Sequence, residues 1–173
     1  MTLIPDTKDW TWVLERPCPE CGYDGRLVQF AEIPALISEN AARWQRVLEQ
    51  PDVRERPNPT TWSALEYGAH VRDVFRVFTA RLELMLAQDN PEFPNWDQDA
   101  TALAERYAEQ DPQVVAIELA ADAQRAAEAF AAVPEELRGR SGRRSDGAVF
   151  TVSSLGRYFV HDPVHHLHDV AGG

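Results

Sequence analysis

Lysine is almost missing from this sequence: Lys8 stands alone, and arginine supplies the rest of its 17 cations. Set against 28 acidic residues, they leave a formal charge of −11. Such a chain repels phosphate backbones, which argues against nucleic acid as a partner, and the same sign disfavours an anionic membrane surface. Long hydrophobic runs are absent as well; none approaches the ~20 residues that span a bilayer. Between Met1 and Trp12 there is no basic stretch and no apolar core, so no secretory signal is read there and the cytoplasm is the expected compartment. Cysteine is scarce: Cys18 and Cys21 share one C-x-x-C, too few and too close to staple a fold.

What is present is globular. With 173 residues, 44% hydrophobic and 26% charged, the chain has the makings of one ordinary domain. Residues 1–28 read as an irregular leader, broken by Pro5, Pro17, Pro19, Gly22 and Gly25, that wraps on a domain formed by 29–173, with Trp10 and Trp12 as docking anchors. Apolar residues then recur at helical spacing in four segments. Ile33, Leu36, Ile37, Trp44, Val47 and Leu48 predict a helix over about 33–50. A second is expected from near Thr60 or Thr61, with Ser63 and Glu66 as start-region polar groups and without a strict capping box. The third region, about 101–133, is alanine-rich, and Asp111-Pro112 marks a break or fresh start because proline suits a first turn. After the polar loop 138–147, a fourth helix is expected from near Thr151 or Ser153 to about 170, closed by Ala171-Gly172-Gly173. Four such segments predict an all-α four-helix bundle.

The histidines are concentrated. Four of the five fall in the stretch His161-Asp-Pro-Val-His165-His166-Leu-His168, and the fifth, His70, lies mid-way along the second helix. At about 100° per residue, His161, His165 and His168 share a face and His166 turns away from it. Residues i and i+4 on a helix are close enough for two imidazoles to reach one cation, and His70 is the histidine able to complete a three-His site from a facing helix. Glu66, His70 and Asp73 fall at i, i+4 and i+7, so the two carboxylates are candidates to orient a ligand ring, and Glu66 also to act as a base. His168 is a further candidate beside the metal. Arg157, one turn before His161, is a candidate for a substrate carboxylate. Pro163 removes a helical donor between the two proposed ligands and predicts a kink or a later helix start. The plain alternative is an exposed His-rich tract that binds metal weakly.

Cys-Pro-Glu-Cys-Gly resembles one knuckle of a zinc ribbon, but the second cysteine pair of a ribbon is missing. A redox dithiol belongs at a strand-to-helix start in a βαβ unit, which this chain lacks. The role of Cys18 and Cys21 stays open between a buried turn, a labile disulfide and part of a second metal site.

Pro59-Thr-Thr-Trp-Ser-Ala-Leu-Glu-Tyr-Gly-Ala-His70-Val-Arg-Asp73 resembles the second helix of the DinB-like proteins in their actinobacterial form, and Tyr158-Phe-Val-His161-Asp-Pro-Val-His165-His166 resembles their fourth. The stretch from Asp97-Gln-Asp99 to Gln110-Asp-Pro112 and the Cys-Pro-Glu-Cys-Gly leader are similar to that branch too. The resemblance covers roughly 17–170. It implies a DinB-type bundle, often dimeric, with zinc or nickel held by His70, His161 and His165. It also implies a thiol S-transferase or isomerase of the mycothiol-dependent maleylpyruvate isomerase kind, in which a small thiol such as mycothiol is activated on the metal and attacks an electrophile; the same ligands would equally serve a hydrolase using bound hydroxide, with Glu66 as base, or a non-catalytic metal-binding, stress-response module. The adjacent histidines stand at i+4 and i+5 from the first here, where the family often has i+3 and i+4.

Overall fold

The computed structural model describes Leu3 and residues 9–171. Residues 1, 2 and 4–8 of the leader, and the Gly172-Gly173 read as a helix stop, lie outside the described residues. Helices begin where the sequence supplies acceptors for their free N–H groups. Helix α1 (Ile33–Leu48) follows a 3-10 turn and carries Pro34 in its first turn. Helix α2 (Ala64–Ala87) starts later than the sequence suggested, and it does have a capping box. Ser63 Oγ accepts from the Glu66 N–H at 3.2 Å, and Glu66 Oε2 accepts from the Ser63 N–H at 2.8 Å. Thr60 is instead held in a turn by Asn58, whose Oδ1 accepts from its N–H at 3.0 Å.

The alanine-rich region divides at Asp111-Pro112. Helix α3 (Gln98–Ala104) is capped by Asp97, and α4 (Pro112–Ala131) by Asp111, whose carboxylate accepts from the N–H groups of Gln113 and Val114. Thr151 caps α5 (Val152–Val170), which runs unbroken through Pro163.

Helices α1, α2, α4 and α5 form the bundle. Both α1 and α2 pack on α4 and α5 and meet each other little, so two helices consecutive in this set stand across the bundle from one another. Phe159 is the hub of the core: its ring lies 5.1 Å from Phe78, 5.6 Å from Phe130 and 5.8 Å from Phe75. Gly156 lets α5 approach closely, since a Cβ there would stand 2.5 Å from Ile33 Cδ1 and 3.0 Å from Phe130 Cε1.

The bundle is not purely helical. Strand β1 (Glu92–Phe93) pairs in parallel with β2 (Ser141–Arg144), and β2 pairs antiparallel with β3 (Val149–Thr151). The segment read as a polar loop forms a hairpin because Phe93 and Phe150 bury beneath it and Arg140 donates to the carbonyls of Met85 and Gln88. In the leader, a 3-10 turn at Thr11–Leu14 packs Val13, fully buried, near α5. Among the described residues, no helix is long and apolar enough to cross a membrane.

Candidate metal centre and cavity

Helix α5 serves two neighbours with two adjacent faces. A step of one residue turns a helix by about 100°. Arg157, His161 and His165 therefore share one face, and Tyr158, Asp162 and His166 share the next. The first face meets the leader: the Tyr23 hydroxyl donates to the Arg157 carbonyl at 2.6 Å, and the Trp10 ring lies 5.4 Å from His161 and 5.1 Å from His165. The second face meets α2. His70, His161 and His165 are consequently not brought to one point. The described residues form two groups of close ligand atoms, one of His70, Asp162 and His166, the other of Cys18, Cys21, His161 and His165.

In the first group, His70 Nε2 lies 3.0 Å from Asp162 Oδ1, and His166 Nε2 lies 3.4 Å from the same oxygen. His70 is fully buried and stacks on Trp96, centroids 5.3 Å apart and planes 2° from parallel. The other ring nitrogen of His166 faces Asp169, Nδ1 to Oδ2 2.8 Å. A carboxylate behind an imidazole fixes its tautomer and orientation for a cation on the far side. Burial pushes the pKa of Asp162 up, but the imidazoles of His70 and His166 outweigh that and hold it below the usual carboxylate range. Two imidazoles and one carboxylate are a donor set that suits zinc and other divalent cations.

In the second group, Cys18 Sγ lies 3.6 Å from His165 Nδ1. His161 Nε2 is buried with no hydrogen-bond partner, a cost of about 1–3 kcal/mol for a polar atom left that way. Burial, with His165 beside it, pushes the His161 pKa down to about 4, so its ring is neutral at pH 7. Burial and the neighbouring Cys18 push the Cys21 thiol up to about 11, against a smaller opposing effect of backbone N–H groups.

A cavity of about 570 Å³ opens beside α5, bounded by Asp162 and His166 of the first group, by His161 and His165 of the second, by Trp62 and Trp96 and, further along, by Arg81, Arg144 and Tyr158. Arg144 donates to the Tyr158 hydroxyl at 3.0 Å and pairs with Asp146 through two bonds of 2.8 and 2.9 Å. Arg81 is 6% exposed, and burial together with the charge of Arg144 lowers its pKa to about 10. The cavity thus has one wall of imidazole and carboxylate groups and one cationic wall, at a volume suited to a small molecule.

The remaining expected residues lie elsewhere. Glu66 is committed to the start of α2: besides the capping box, both of its oxygens accept from Arg56. Asp73 accepts from the Tyr107 hydroxyl, from Arg72 at 2.9 Å and from Arg76 at 3.3 Å, which ties α2 to the segment before α4. Arg157 lies under the leader, and the guanidinium groups lining the cavity are those of Arg81 and Arg144. His168 belongs to neither ligand group; its ring is 6.3 Å from that of His165. The sequence pattern turns His166 away from the expected ligands and leaves Asp162 outside them, although Asp-x-x-x-His carries the same i, i+4 signal as His-x-x-x-His. Arg81, Arg144 and Trp96 carried no local signal, because only the hairpin and the 90–97 loop bring them to the cavity.

The arrangement has relatives. No curated protein matches this sequence. Among solved structures, YfiT from Bacillus subtilis, described as a probable metal-dependent hydrolase with an unusual four-helix bundle topology, superposes with a TM-score of 0.72. It is 18% identical, over 81% of this chain and 83% of its own, which is a likeness of fold. The sequence profile of the DinB superfamily matches residues 36–170, a span that takes in every bundle helix from α2 to α5, most of α1, and both histidine-bearing faces of α5. A four-helix bundle whose α2 and α5 bring histidines together, matched along that span, is a member of the DinB superfamily.

Proposed function

We propose that this protein is a divalent-metal-dependent enzyme that activates a small thiol, mycothiol-like in size and charge, for transfer or isomerisation of an electrophile. The supporting observation is the convergence of His70 Nε2 and His166 Nε2 on Asp162 Oδ1, at the edge of a cavity that Asp162 and His166 line and whose other wall carries Arg81 and Arg144. These three residues would hold the cation, zinc or nickel, in place of the set His70, His161 and His165. A bound divalent cation supplies Lewis acidity and lowers the pKa of a ligand in its open position. Asp169 orients the His166 ring through Nδ1. Trp96 and Trp62 flank His70 and shield it from water. Arg144, braced by Asp146 and Tyr158, binds an anionic group of the thiol or its acceptor. The reading takes a small-molecule thiol and electrophile as partners, no nucleic acid or membrane, a cytoplasmic setting and a homodimer.

The test uses tag-free full-length protein. His70→Ala and Asp162→Ala should each lose one equivalent of cation by elemental analysis and abolish thiol-dependent consumption of a chlorobimane-type electrophile. Cation retained in full by both variants refutes the site. A second reading is hydrolysis, favoured by the description of YfiT. Turnover of an ester or amide without added thiol, lost in the same variants, would select it.

A further inference from the structure

The proposed reaction makes no use of the cluster on the other face of α5. Its four members come from two short motifs. Cys18 and Cys21 sit on a tight turn in which the Gly22 N–H donates to the Cys18 carbonyl at 2.9 Å and the Cys18 N–H to the Tyr23 carbonyl at 2.8 Å. Gly22 has φ +77°, a left-handed conformation that lets the chain fold back directly after the second thiol. His161 and His165 are one helical turn apart. One ligand atom from each of the four lies within 4.8 Å of all the others. The separation of 3.6 Å between Cys18 Sγ and His165 Nδ1 equals the S···N edge, about 3.6 Å, of a tetrahedron with Zn–S of about 2.3 Å and Zn–N of about 2.0–2.1 Å.

Three further observations point the same way. His161 Nε2 is buried and has no hydrogen-bond partner. The outer nitrogen of His165, Nε2, lies 3.2 Å from Glu20 Oε2, the carboxylate support typical of a metal-bound imidazole. The rings of Trp10 and Tyr23 cover the histidines, within 5.6 Å of His161, while half-buried Cys21 leaves a way in for an ion.

We infer that Cys18, Cys21, His161 and His165 form a closed, tetrahedral site for zinc that clasps the leader onto α5. Two thiolates and two imidazoles select a borderline-soft cation, and C-x2-C followed by H-x3-H is the ligand spacing of structural Cys2His2 zinc. Four protein ligands leave no position for substrate, so the site holds structure and is independent of the cation proposed at His70. Binding sends the two thiol protons to solvent. The clasp fixes Trp10, which lines the cavity.

X-ray absorption on zinc-loaded, full-length, tag-free protein tests the inference without an activity assay. In His70→Ala/Asp162→Ala, where the other site is disabled, about one zinc per chain should persist, with a shell of two sulfurs at about 2.3 Å and two nitrogens at about 2.0–2.1 Å. Cys18→Ser/Cys21→Ser should lose one zinc and all sulfur scattering. Should that variant fail to fold, the wild-type sulfur shell decides. Zinc bound through nitrogen and oxygen alone, or a Cys18–Cys21 disulfide in protein purified without oxidant, overturns it.

Discussion

Replacing Glu66 with glutamine separates two roles that its position in the sequence allows, base beside a metal or anchor of a helix start. The side chain is buried, and its carboxylate accepts from the Ser63 N–H at 2.8 Å and from both Nε and a terminal nitrogen of Arg56. Glutamine keeps an acceptor for the cap and loses the charge. A hydrogen bond to a charged group contributes about 1.5–3 kcal/mol and a neutral one about 0.5–1.5. Arg56 is one-third exposed, so solvent screens part of the difference. The net cost of Glu66→Gln is about 1–2 kcal/mol, or a fall in Tm of roughly 2–8 °C for a chain of this size. Burial pushes the carboxyl pKa up, but Arg56 and the Ser63 groups outweigh it and hold it below the ordinary 4.5. A depressed native pKa adds stability above the unfolded value and loses it as pH falls through the native one. The gap between wild type and variant should be full at pH 7 and close progressively below about pH 4.5. Urea unfolding followed by circular dichroism at a series of pH values measures it, with cation content determined alongside. A variant with unchanged midpoint but lost turnover or cation would refute the helix-anchor argument and restore Glu66 to the chemistry.

Three other perturbations have defined outcomes. Phe159→Ala empties the ring cluster at the centre of the bundle and should cost about 3–5 kcal/mol by calorimetry; a loss below about 1 kcal/mol would mean the core closes over the gap. Gly156→Ala drives a methyl against Ile33 and Phe130 and should destabilise by about 1–3 kcal/mol, although alanine is the better helix former; a stabilised variant would show that α1 and α4 yield. Asp169→Asn weakens the support of His166 and should reduce cation affinity at the His70 site about 10–100-fold in chelator competition, whereas unchanged affinity would show that the ring orients without it.

The bundle was legible because its signals are local. Apolar positions at helical spacing placed α1, α2 and α5 within a few residues of their observed ends, and Asp111-Pro112 marked the start of α4. The sheet was not legible: β1 and β2 lie some fifty residues apart, and their pairing rests on burial of Phe93 and Phe150, which no short window reports. The candidate site was legible in its parts, namely a histidine on α2 and side chains able to ligate a metal on α5. Which of them meet was not, because spacing fixes which residues share a face and leaves open what each face packs against. His166 and Asp162 carry the same spacing as His161 and His165. The choice between them is made by the roll of α5 in the bundle, set by Phe159, Gly156 and their neighbours in the core.

That roll also bears on Pro163. Within a helix, proline removes the donor that would pair with the carbonyl four residues back and its ring clashes with that carbonyl, at a cost of about 3 kcal/mol that usually kinks or breaks the helix. Here α5 stays unbroken because it is held on both sides of the proline and on both ligand-bearing faces. Tyr23, Trp10 and Cys18 press on one face, and His70 reaches Asp162 on the other. Pro163 itself is buried, and at about 100° per residue it falls on a face of α5 that carries neither donor set. Local preference yields to these contacts, and the unbroken helix keeps the two donor sets, one residue apart in the chain, on adjacent faces. Inserting a single residue between 157 and 161 would turn the downstream face by about 100° and offer His70 a different pair of side chains. The segregation of the two sets therefore depends on the continuity of this helix, more than on any one of its histidines.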